Sequence, residues 1–316
     1  MKICGDRMVR GEGDRLPPDL PTQPCPRAKS LMTQTKQLLR QAGLRARKGL
    51  GQHFLVDGGV LKDILSAAEL SPTDIVIEVG PGLGVLTREL ARRAGRVVAV
   101  ELDDSLASLL KETLASFGNV AIVNQDILKV DPQALLRQRL PDGEGDSLRY
   151  KVVANLPYYI TSPVLRHFLE ASHKPQCMVV MVQKEVARQI TAQPGRMSLL
   201  SISVQLYGEP RIVKYVRASS FYPAPEVDSA ILKIAVYPRP VVEVNTENFF
   251  TLVRAGFSAA RKQLAKSLAQ GLNRPKAEAL SLLEKAGIDS HRRAETLSLE
   301  EWARLWRVYA QSKEIT

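Results

Sequence analysis

Short apolar runs and amphipathic segments alternate through the middle of the chain. The apolar runs are rich in Val, Ile and Ala: DIVIEVG (74–80), RVVAVELD (96–103), NVAIVNQD (119–126), YKVVANLP (150–157) and QCMVVMVQ (176–183). The segments between them place apolar residues at helical spacing: GGVLKDILSAAEL (58–70), GVLTRELARRAG (84–95), SLASLLKETLASFG (105–118) and SPVLRHFLEAS (162–172). Strands that alternate with helices in this way predict an α/β fold with a parallel sheet covered on both faces.

The pattern changes toward the C-terminus. RIVKYVRAS (211–219) and DSAILKIAVYP (228–238) are separated only by a loop, which predicts an antiparallel pair at one edge of the sheet. After the proline-rich stretch YPRPVVEVN (237–245) every remaining segment has helical spacing. This change predicts a second, small helical domain over residues 243–316, following an α/β domain over residues 32–240.

The first 31 residues differ from the rest of the chain. They contain five prolines, several glycines and few large apolar residues, a composition that predicts a disordered tail over residues 1–31. A helical pattern starts near Met32 and ends in the basic run Arg45, Arg47 and Lys48.

Composition narrows the class of protein. The three cysteines (Cys4, Cys25 and Cys177) are too few and too scattered for a disulfide framework, which suggests a reducing, cytoplasmic setting. The four histidines form no ligand motif, so we expect no catalytic metal. No apolar run reaches the length of a signal peptide or of a membrane-spanning helix, so we expect no membrane association.

The positive charge is concentrated at the two ends of the chain. The net charge is +11; residues 1–50 carry 11 Lys and Arg against 4 Asp and Glu, and residues 241–316 carry 12 against 9. The middle is nearly neutral, with 21 Lys and Arg against 20 Asp and Glu. Localised basic segments are typical of proteins that bind a polyanion such as nucleic acid, although they also serve solubility.

A glycine-rich turn follows the first predicted strand of the sheet. Its glycines are Gly80, Gly82 and Gly84, directly after an acidic residue and one valine. A dinucleotide site would need a small residue at position 85, which is Val85. The G-x-G-x-G spacing therefore favours S-adenosylmethionine (SAM) over NAD.

Acidic residues end the next two predicted strands. Glu101 lies 21 residues after Gly80, where a carboxylate can accept hydrogen bonds from both ribose hydroxyls. Asp126, one strand further, can accept a hydrogen bond from the adenine amino group. Each acid alone is better explained as a helix cap or turn residue. Together with the glycines, at successive strand ends, they indicate a cofactor site.

The fourth strand ends in Asn155, Leu156, Pro157 and Tyr158. Alone, this segment is typical of a turn. Beside a SAM site, the Asn155 side-chain oxygen and the Leu156 carbonyl could accept both N–H groups of an exocyclic adenine amine, which favours a localised lone pair. Pro157 fixes the chain direction, and Tyr158 offers an aromatic face to the base. No strong general base is required, so alignment would supply most of the catalysis.

Eight blocks, in order, give the chain a specific resemblance. They are LGQHFL (50–55), IEVGPGLGVLT (77–87), VVAVELD (97–103), NQDIL (124–128), VVANLPYYI (152–160), MVQKEVARQI (181–190), FYPAPEVDSAIL (221–232) and FSAARKQLAKSL (257–268). From about residue 33 to the C-terminus the chain resembles the KsgA (RsmA) family of ribosomal RNA adenine N6,N6-dimethyltransferases.

The resemblance implies a fold and a cofactor site. The fold would be that of class I SAM-dependent methyltransferases: a Rossmann-like, mostly parallel seven-stranded sheet with an antiparallel edge strand, plus a small C-terminal all-helical domain that binds RNA. SAM, which leaves as S-adenosylhomocysteine, would contact His53, Leu55, Gly80, Glu101, Asp126 and Asn155. Gln52 and Gly82 would border the same pocket, and the predicted cofactor site also includes Leu102 and Ile127.

The resemblance to this family also implies a substrate. Family members dimethylate two adjacent adenines in the 3′-terminal hairpin loop of small-subunit (16S) rRNA, within the assembling 30S subunit. The target adenine would lie between Tyr158 and Phe221. We expect a cytoplasmic monomer whose RNA-binding residues include Arg45, Arg47, Lys48, Arg261, Lys262 and Lys266.

Three alternatives remain open on the sequence. An erythromycin-resistance type methylase would modify an adenine of large-subunit rRNA instead; the FSAARKQLAKSL segment and the proline-rich loop disfavour it. An NAD-dependent oxidoreductase is disfavoured by Val85 and by the lack of a credible hydride-transfer residue. A non-catalytic assembly factor would be expected to have lost the segment 155–158, which this chain retains.

Overall fold

The computed structural model describes residues 30–139 and 149–314, without the side chains of Lys48, Lys313 and Glu314. Most of the predicted tail therefore lies outside the described residues. The last two residues of the predicted tail, Ser30 and Leu31, belong to the first helix: the Ser30 hydroxyl caps it by accepting the Thr33 N–H, and Leu31 is its first residue.

Within these ranges the chain forms nine β-strands and twelve α-helices. The strands are β1 (Phe54–Leu55), β2 (Ile75–Val79), β3 (Arg96–Glu101), β4 (Val120–Asn124), β5 (Tyr150–Asn155), β6 (Cys177–Gln183), β7 (Gly208–Val216), β8 (Phe221–Tyr222) and β9 (Ser229–Val236). The helices are α1 (Leu31–Gln41), α2 (Gly58–Ala68), α3 (Val85–Ala91), α4 (Asp104–Thr113), α5 (Pro132–Arg139), α6 (Thr161–Leu169), α7 (Lys184–Ile190), α8 (Leu199–Gln205), α9 (Thr246–Phe257), α10 (Leu264–Leu272), α11 (Lys276–Lys285) and α12 (Leu299–Glu314).

Seven strands form one sheet in the order β4-β3-β2-β5-β6-β9-β7. The predicted mostly parallel sheet is confirmed, because six strands run in one direction and only β9 runs in the opposite one. The predicted antiparallel pair is β7 and β9. The reversed strand, β9, lies one position inside the edge, and the edge strand β7 runs parallel to β6.

Successive residues of each central strand are buried on opposite faces. In β2, Ile75, Ile77 and Val79 belong to an apolar cluster that includes α6, whereas Val76 belongs to a second cluster with α2 and α3. This two-sided burial explains why the central strands are continuous apolar runs.

The four C-terminal helices share the first of these clusters. Phe249 of α9 and Trp302 of α12 are buried in the same continuous cluster as Leu232 of β9. The helices approach closely at Gly271, where a Cβ atom would lie 2.4 Å from the Cα of Ala255. The C-terminal part is therefore wholly helical, as predicted, but its apolar core is continuous with that of the sheet. The domain boundaries stay a prediction.

A two-stranded sheet that the sequence patterns did not predict joins the N-terminal segment to the proline-rich loop. Phe54 and Leu55 of β1 pair with Tyr222 and Phe221 of β8. The Ser220 hydroxyl adds a hydrogen bond to Asp57 at 2.9 Å. This pairing holds residues 44–55, which we call the N-terminal arm, against the carboxyl edge of the large sheet.

Candidate active site

A cleft of about 300 Å³ lies at the carboxyl ends of β2, β3 and β5. This position is the one expected for a ligand site in an open α/β sheet. The N-terminal arm supplies residues 50–55 of its wall, the glycine-rich turn supplies residues 78–83, and the segment after β5 supplies residues 155–160.

The glycine-rich turn requires residues without side chains. Gly80, Gly82 and Gly84 have φ values of 65°, 59° and 74°, in the left-handed region that side chains disfavour. A Cβ atom at Gly82 would also lie 3.2 Å from the ring of Phe54 in the arm. The turn thereby exposes its backbone to the cleft and lets the arm pack directly over it.

Glu101 connects this turn to the next one. Its side-chain oxygens accept hydrogen bonds from the backbone N–H groups of Gly82, at 3.1 Å, and Asp103, at 3.0 Å. Glu101 is 6% exposed, and burial raises its pKa. Each carboxylate oxygen can accept a second hydrogen bond, so Glu101 can still bind donors that enter the cleft.

Asp103 attaches the arm to the same corner of the site. One carboxylate oxygen accepts the Ser105 and Leu106 N–H groups and caps α4. The other lies 3.2 Å from Nη1 of Arg47 and 3.2 Å from Nε2 of Gln52. The Gln52 side-chain oxygen also accepts the Arg47 N–H at 2.9 Å. Gln52 lines the cleft, but its side chain makes these contacts within the protein.

The orientation of the Asn155 amide is determined by the arm. Its Nδ2 donates to the backbone oxygen of His53 at 3.0 Å. Because a carbonyl oxygen can only accept, the amide oxygen must be the group left for other partners. The backbone N–H of Leu156 donates to Met181 of β6 at 3.2 Å, which directs the chain out of the strand.

Tyr158 lies between the arm and the antiparallel strands. Its ring stacks on that of His53 with 5.7 Å between centroids, and its hydroxyl lies 2.7 Å from the Ser229 hydroxyl. Nδ1 of His53 donates to the Pro223 carbonyl at 2.7 Å, which fixes that ring in turn. Burial raises the pKa of Tyr158, so its hydroxyl stays protonated near neutral pH.

The residues after β3 and β4 complete the wall. Asp126 accepts the Leu128 N–H with one carboxylate oxygen at 3.0 Å, and its other oxygen has no partner within the described ranges. Leu102 is 49% exposed, whereas Ile127 is buried. Each of these apolar residues directly follows one of the acids, Leu102 after Glu101 and Ile127 after Asp126, and both line the cleft.

All ten residues predicted to bind the cofactor line this single cleft, together with four of the five predicted catalytic residues. Phe221 is the exception. It is 2% exposed and packs in the second apolar cluster, where it pairs with Leu55. In this arrangement its ring presents no face to the cleft, which does not support the expected stacking on a base.

The predicted RNA-binding residues lie outside the cleft. Arg45 and Arg47 are exposed on the arm, and Arg261, Lys262 and Lys266 are exposed around the start of α10. The side chain of Lys48 lies outside what the structure describes.

Glu78, the acidic residue before the glycine-rich turn, lines the cleft but was given no contact or role in the sequence analysis. It is 1% exposed, and the Thr87 hydroxyl is its polar neighbour and lowers its pKa, although neither Oε2 nor that hydroxyl makes a well-formed hydrogen bond among the described residues. Burial, with a smaller contribution from Glu101, raises its pKa from 4.5 to about 8. The available signal was a charged residue inside the otherwise apolar run of β2.

Two further features are absent from the described residues. No group of three or more His, Cys, Asp and Glu side chains in them is arranged to hold a metal ion. No helix in the same part of the chain is long and apolar enough to cross a membrane.

Comparison with known families and proteins gives a consistent result. Residues 43–311 match the family described as "Ribosomal RNA adenine dimethylase". The chain is 55% identical to the ribosomal RNA small subunit methyltransferase A of Dehalococcoides mccartyi over 90% of its own length and 95% of that protein. It is 48% identical to the protein of that name from Moorella thermoacetica, over 86% and 96% of the two chains.

Solved structures resemble the fold. The crystal structure of the 23S rRNA methyltransferase ErmE aligns with a TM-score of 0.62 and 32% identity, covering 82% of this chain and all of the other. A dimethyladenosine transferase from Plasmodium falciparum aligns with a TM-score of 0.69 and 26% identity, covering 83% and 98%. The predicted class I methyltransferase fold is thereby confirmed.

The buried Glu78 makes stability depend on pH in a predictable direction. Between pH 5 and 8 this carboxyl is ionised in the unfolded chain but stays protonated in the folded one. Unfolding then releases a proton, so the free energy of unfolding falls as pH rises, by at most about 1.4 kcal/mol per pH unit.

Glu78→Gln should remove this contribution and flatten the curve of unfolding free energy against pH, measured by urea denaturation. The control is Glu112→Gln, an exposed carboxyl on α4. Equal slopes for the wild-type protein and Glu78→Gln would contradict the buried neutral carboxyl.

Proposed function

The chain belongs to the ribosomal RNA adenine dimethylase family and is an rRNA methyltransferase, and we propose that it dimethylates N6 of two adjacent adenines in the 3′-terminal hairpin loop of small-subunit rRNA. The main support for this proposal is the orientation of the Asn155 side chain. Its amide nitrogen is bound by the arm, so its oxygen is available as an acceptor in the same cleft as Glu101 and Asp126.

The hydrogen-bonding groups that line the cleft fit SAM. The left-handed turn at Gly80 and Gly82 allows close approach to the backbone, and Glu101 retains acceptor capacity for two ribose hydroxyls. The unpartnered oxygen of Asp126 can accept from an adenine amino group. The orphaned oxygen of Glu78 in the same wall can serve the cationic amino-acid part. When bound, SAM supplies a methyl group activated by its sulfonium.

The chain's own residues prepare the nucleophile. The Asn155 side-chain oxygen and the Leu156 carbonyl accept the two N–H groups of the target amine, which orients its lone pair toward the methyl group. Tyr158 stays protonated and therefore orients the base without abstracting a proton. Alignment of the reacting atoms is the main source of catalysis in this proposal.

The target base packs on Tyr158. One face of this ring is covered by His53, so an adenine would use the opposite face. Contact with Phe221 as well would require its side chain to move, because it is 2% exposed and does not line the cleft. We therefore assign the primary stacking role to Tyr158.

A hairpin loop suits this cleft as a source of adenine. Loop bases can be turned outward at lower cost than bases within a duplex. The exposed Arg45 and Arg47 of the arm, with Arg261, Lys262 and Lys266 of the helical region from residue 243 onward, supply cations for the flanking phosphates. These residues extend the proposed RNA contact beyond the cleft.

The proposed substrate predicts a specific product. Small subunits from a strain that lacks this methylation, incubated with the protein and labelled SAM, should gain two methyl groups on each of two adjacent adenines near the 3′ end of their rRNA. Mass spectrometry and primer extension locate the modified bases. Large-subunit rRNA is treated in parallel, and methylation of that rRNA alone would overturn the proposal.

Glu101→Gln should weaken SAM binding about 10- to 100-fold. The glutamine amide is neutral and presents an N–H donor where a ribose hydroxyl needs an acceptor. Isothermal calorimetry measures this effect. Asp104→Asn, an exposed acid three residues away, is the matched control. An unchanged dissociation constant for Glu101→Gln would remove the ribose role, and binding of NAD in place of SAM would indicate a different cofactor.

Asn155→Ala should lower the methylation rate at least about 100-fold while RNA binding stays within a few-fold of wild type, because the amine loses an acceptor and the cations proposed to bind RNA are unchanged. The His53 carbonyl also loses its donor, so SAM affinity is measured in the same variant. The matched control is Asn119→Ala. Asn119 also binds backbone oxygens through its amide nitrogen, at 2.8 and 3.0 Å, but it precedes β4 at the opposite edge of the sheet. Wild-type turnover by Asn155→Ala would exclude the acceptor role.

A further inference from the structure

Three residues on α7 and β7 form an exposed cluster of two cations and an aromatic ring. Nζ of Lys184 lies 5.6 Å from the centre of the Tyr215 ring, and Cζ of Arg188 lies 5.7 Å from it. Tyr215 is 49% exposed, and the two cationic side chains are 32% and 52% exposed. We call Lys184, Arg188 and Tyr215 the cationic–aromatic patch.

The patch lies at the same edge of the sheet as the cleft. Asn155 ends β5, Gln183 ends β6 and Val216 ends β7, and these three strands run in one direction. Gln183 and Val216 are both register partners of Ser229 on the intervening strand. Lys184 follows Gln183 directly, and Tyr215 precedes Val216. All three members of the patch are therefore within one turn of helix or one residue of these strand ends.

A hydrogen bond links this edge to the base-binding side of the cleft. The Tyr158 hydroxyl lies 2.7 Å from the Ser229 hydroxyl, and Ser229 lies between Gln183 and Val216 in the sheet. The order of features along the edge is thus Asn155, Tyr158, Ser229 and then the patch. A polymer whose base enters beside Tyr158 would continue over the patch.

Two acidic neighbours partly offset the charge of the patch. Asp228 lies 3.8 Å from Lys184, and Glu185 lies 3.0 Å from Arg188. The Arg188–Glu185 pair is exposed and the Lys184–Asp228 pair is half-buried. Ion pairs in contact with solvent are weak, so both cations can exchange these partners for phosphates. Arg217, exposed at the end of β7, adds a further positive charge at this edge.

We propose that the cationic–aromatic patch binds the RNA strand next to the target adenine, with Lys184 and Arg188 on its phosphates and Tyr215 against a neighbouring base or sugar. This inference rests on the proposed function of the cleft. It adds a binding surface separate from the basic residues of the arm and of the region around α10.

The chemistry of the patch favours RNA over a protein partner. Exposed cations close to an aromatic ring match a polymer that alternates phosphates with flat bases. The cation–ring contacts alone would stabilise an exposed edge strand only slightly.

Filter binding to naked small-subunit rRNA over a range of salt concentrations tests the patch, with S-adenosylhomocysteine present. Lys184→Ala and Arg188→Ala should each weaken binding about five- to tenfold and reduce the slope of log affinity against log salt by about one. Tyr215→Ala should weaken binding about tenfold with little change of slope, and Tyr215→Phe should restore it.

Arg211→Ala is the matched control. Arg211 is an exposed cation on the same strand, but it lies toward the opposite end of β7. SAM affinity and melting temperature should be those of wild type in every variant, and glutamine replaces alanine at any cation where the melting temperature falls.

Two results would overturn the inference. One is wild-type affinity and salt slope in all three alanine variants. The other is a loss seen with whole small subunits but not with naked rRNA, which would indicate a ribosomal protein as the partner. If the wild-type protein binds and methylates only large-subunit rRNA, the proposed function fails, and the same variants measured on that rRNA still test the patch.

Discussion

The site depends on the two backbone hydrogen bonds that Glu101 accepts. A buried carboxylate must be hydrogen-bonded to be tolerated, and the partners of Glu101 are the N–H groups of Gly82 and Asp103. These belong to the turns that follow two adjacent strands, β2 and β3. The contacts hold both turns in shape before any ligand enters, so the wall of the cleft is preorganised. A ligand hydroxyl then uses acceptor capacity that the protein leaves on the same oxygens.

The N-terminal arm depends on the next carboxylate in the chain. Asp103 caps α4 with one oxygen and binds Arg47 and Gln52 with the other. The arm in turn supplies the carbonyl of His53 that orients Asn155. A chain of contacts therefore runs from the glycine-rich turn, through two acids, to the amide that would hold the target amine. The groups proposed for cofactor binding and for catalysis are parts of one connected arrangement.

Local sequence predicts the parts of this arrangement that come from single strand ends. The glycines, Glu101 and Asp126 follow apolar runs, and the carboxyl ends of parallel strands must meet at one edge. Contacts between segments that are far apart in the chain left no such pattern in the sequence. The strands β1 and β8 have two residues each, too few for a periodicity, so the pairing of Phe221 with Leu55 left no pattern in the sequence. A Phe before a proline-rich turn is usually a core residue, and only the family resemblance placed Phe221 at the base. Lys184 and Tyr215 come together only because β9 inserts between β6 and β7.

The contact between Arg47 and Asp103 raises the question of whether Arg47 can both hold the arm and bind RNA. Asp103 is nearly buried, with 3% of its side chain exposed, whereas 58% of the Arg47 side chain is exposed. A guanidinium has five donors, and only Nη1 of Arg47 faces this carboxylate. Asp103 also keeps Gln52 and the α4 N–H groups as partners, so it does not depend on Arg47 for its hydrogen bonds. More than half of the Arg47 side chain stays exposed, so one residue can serve both contacts.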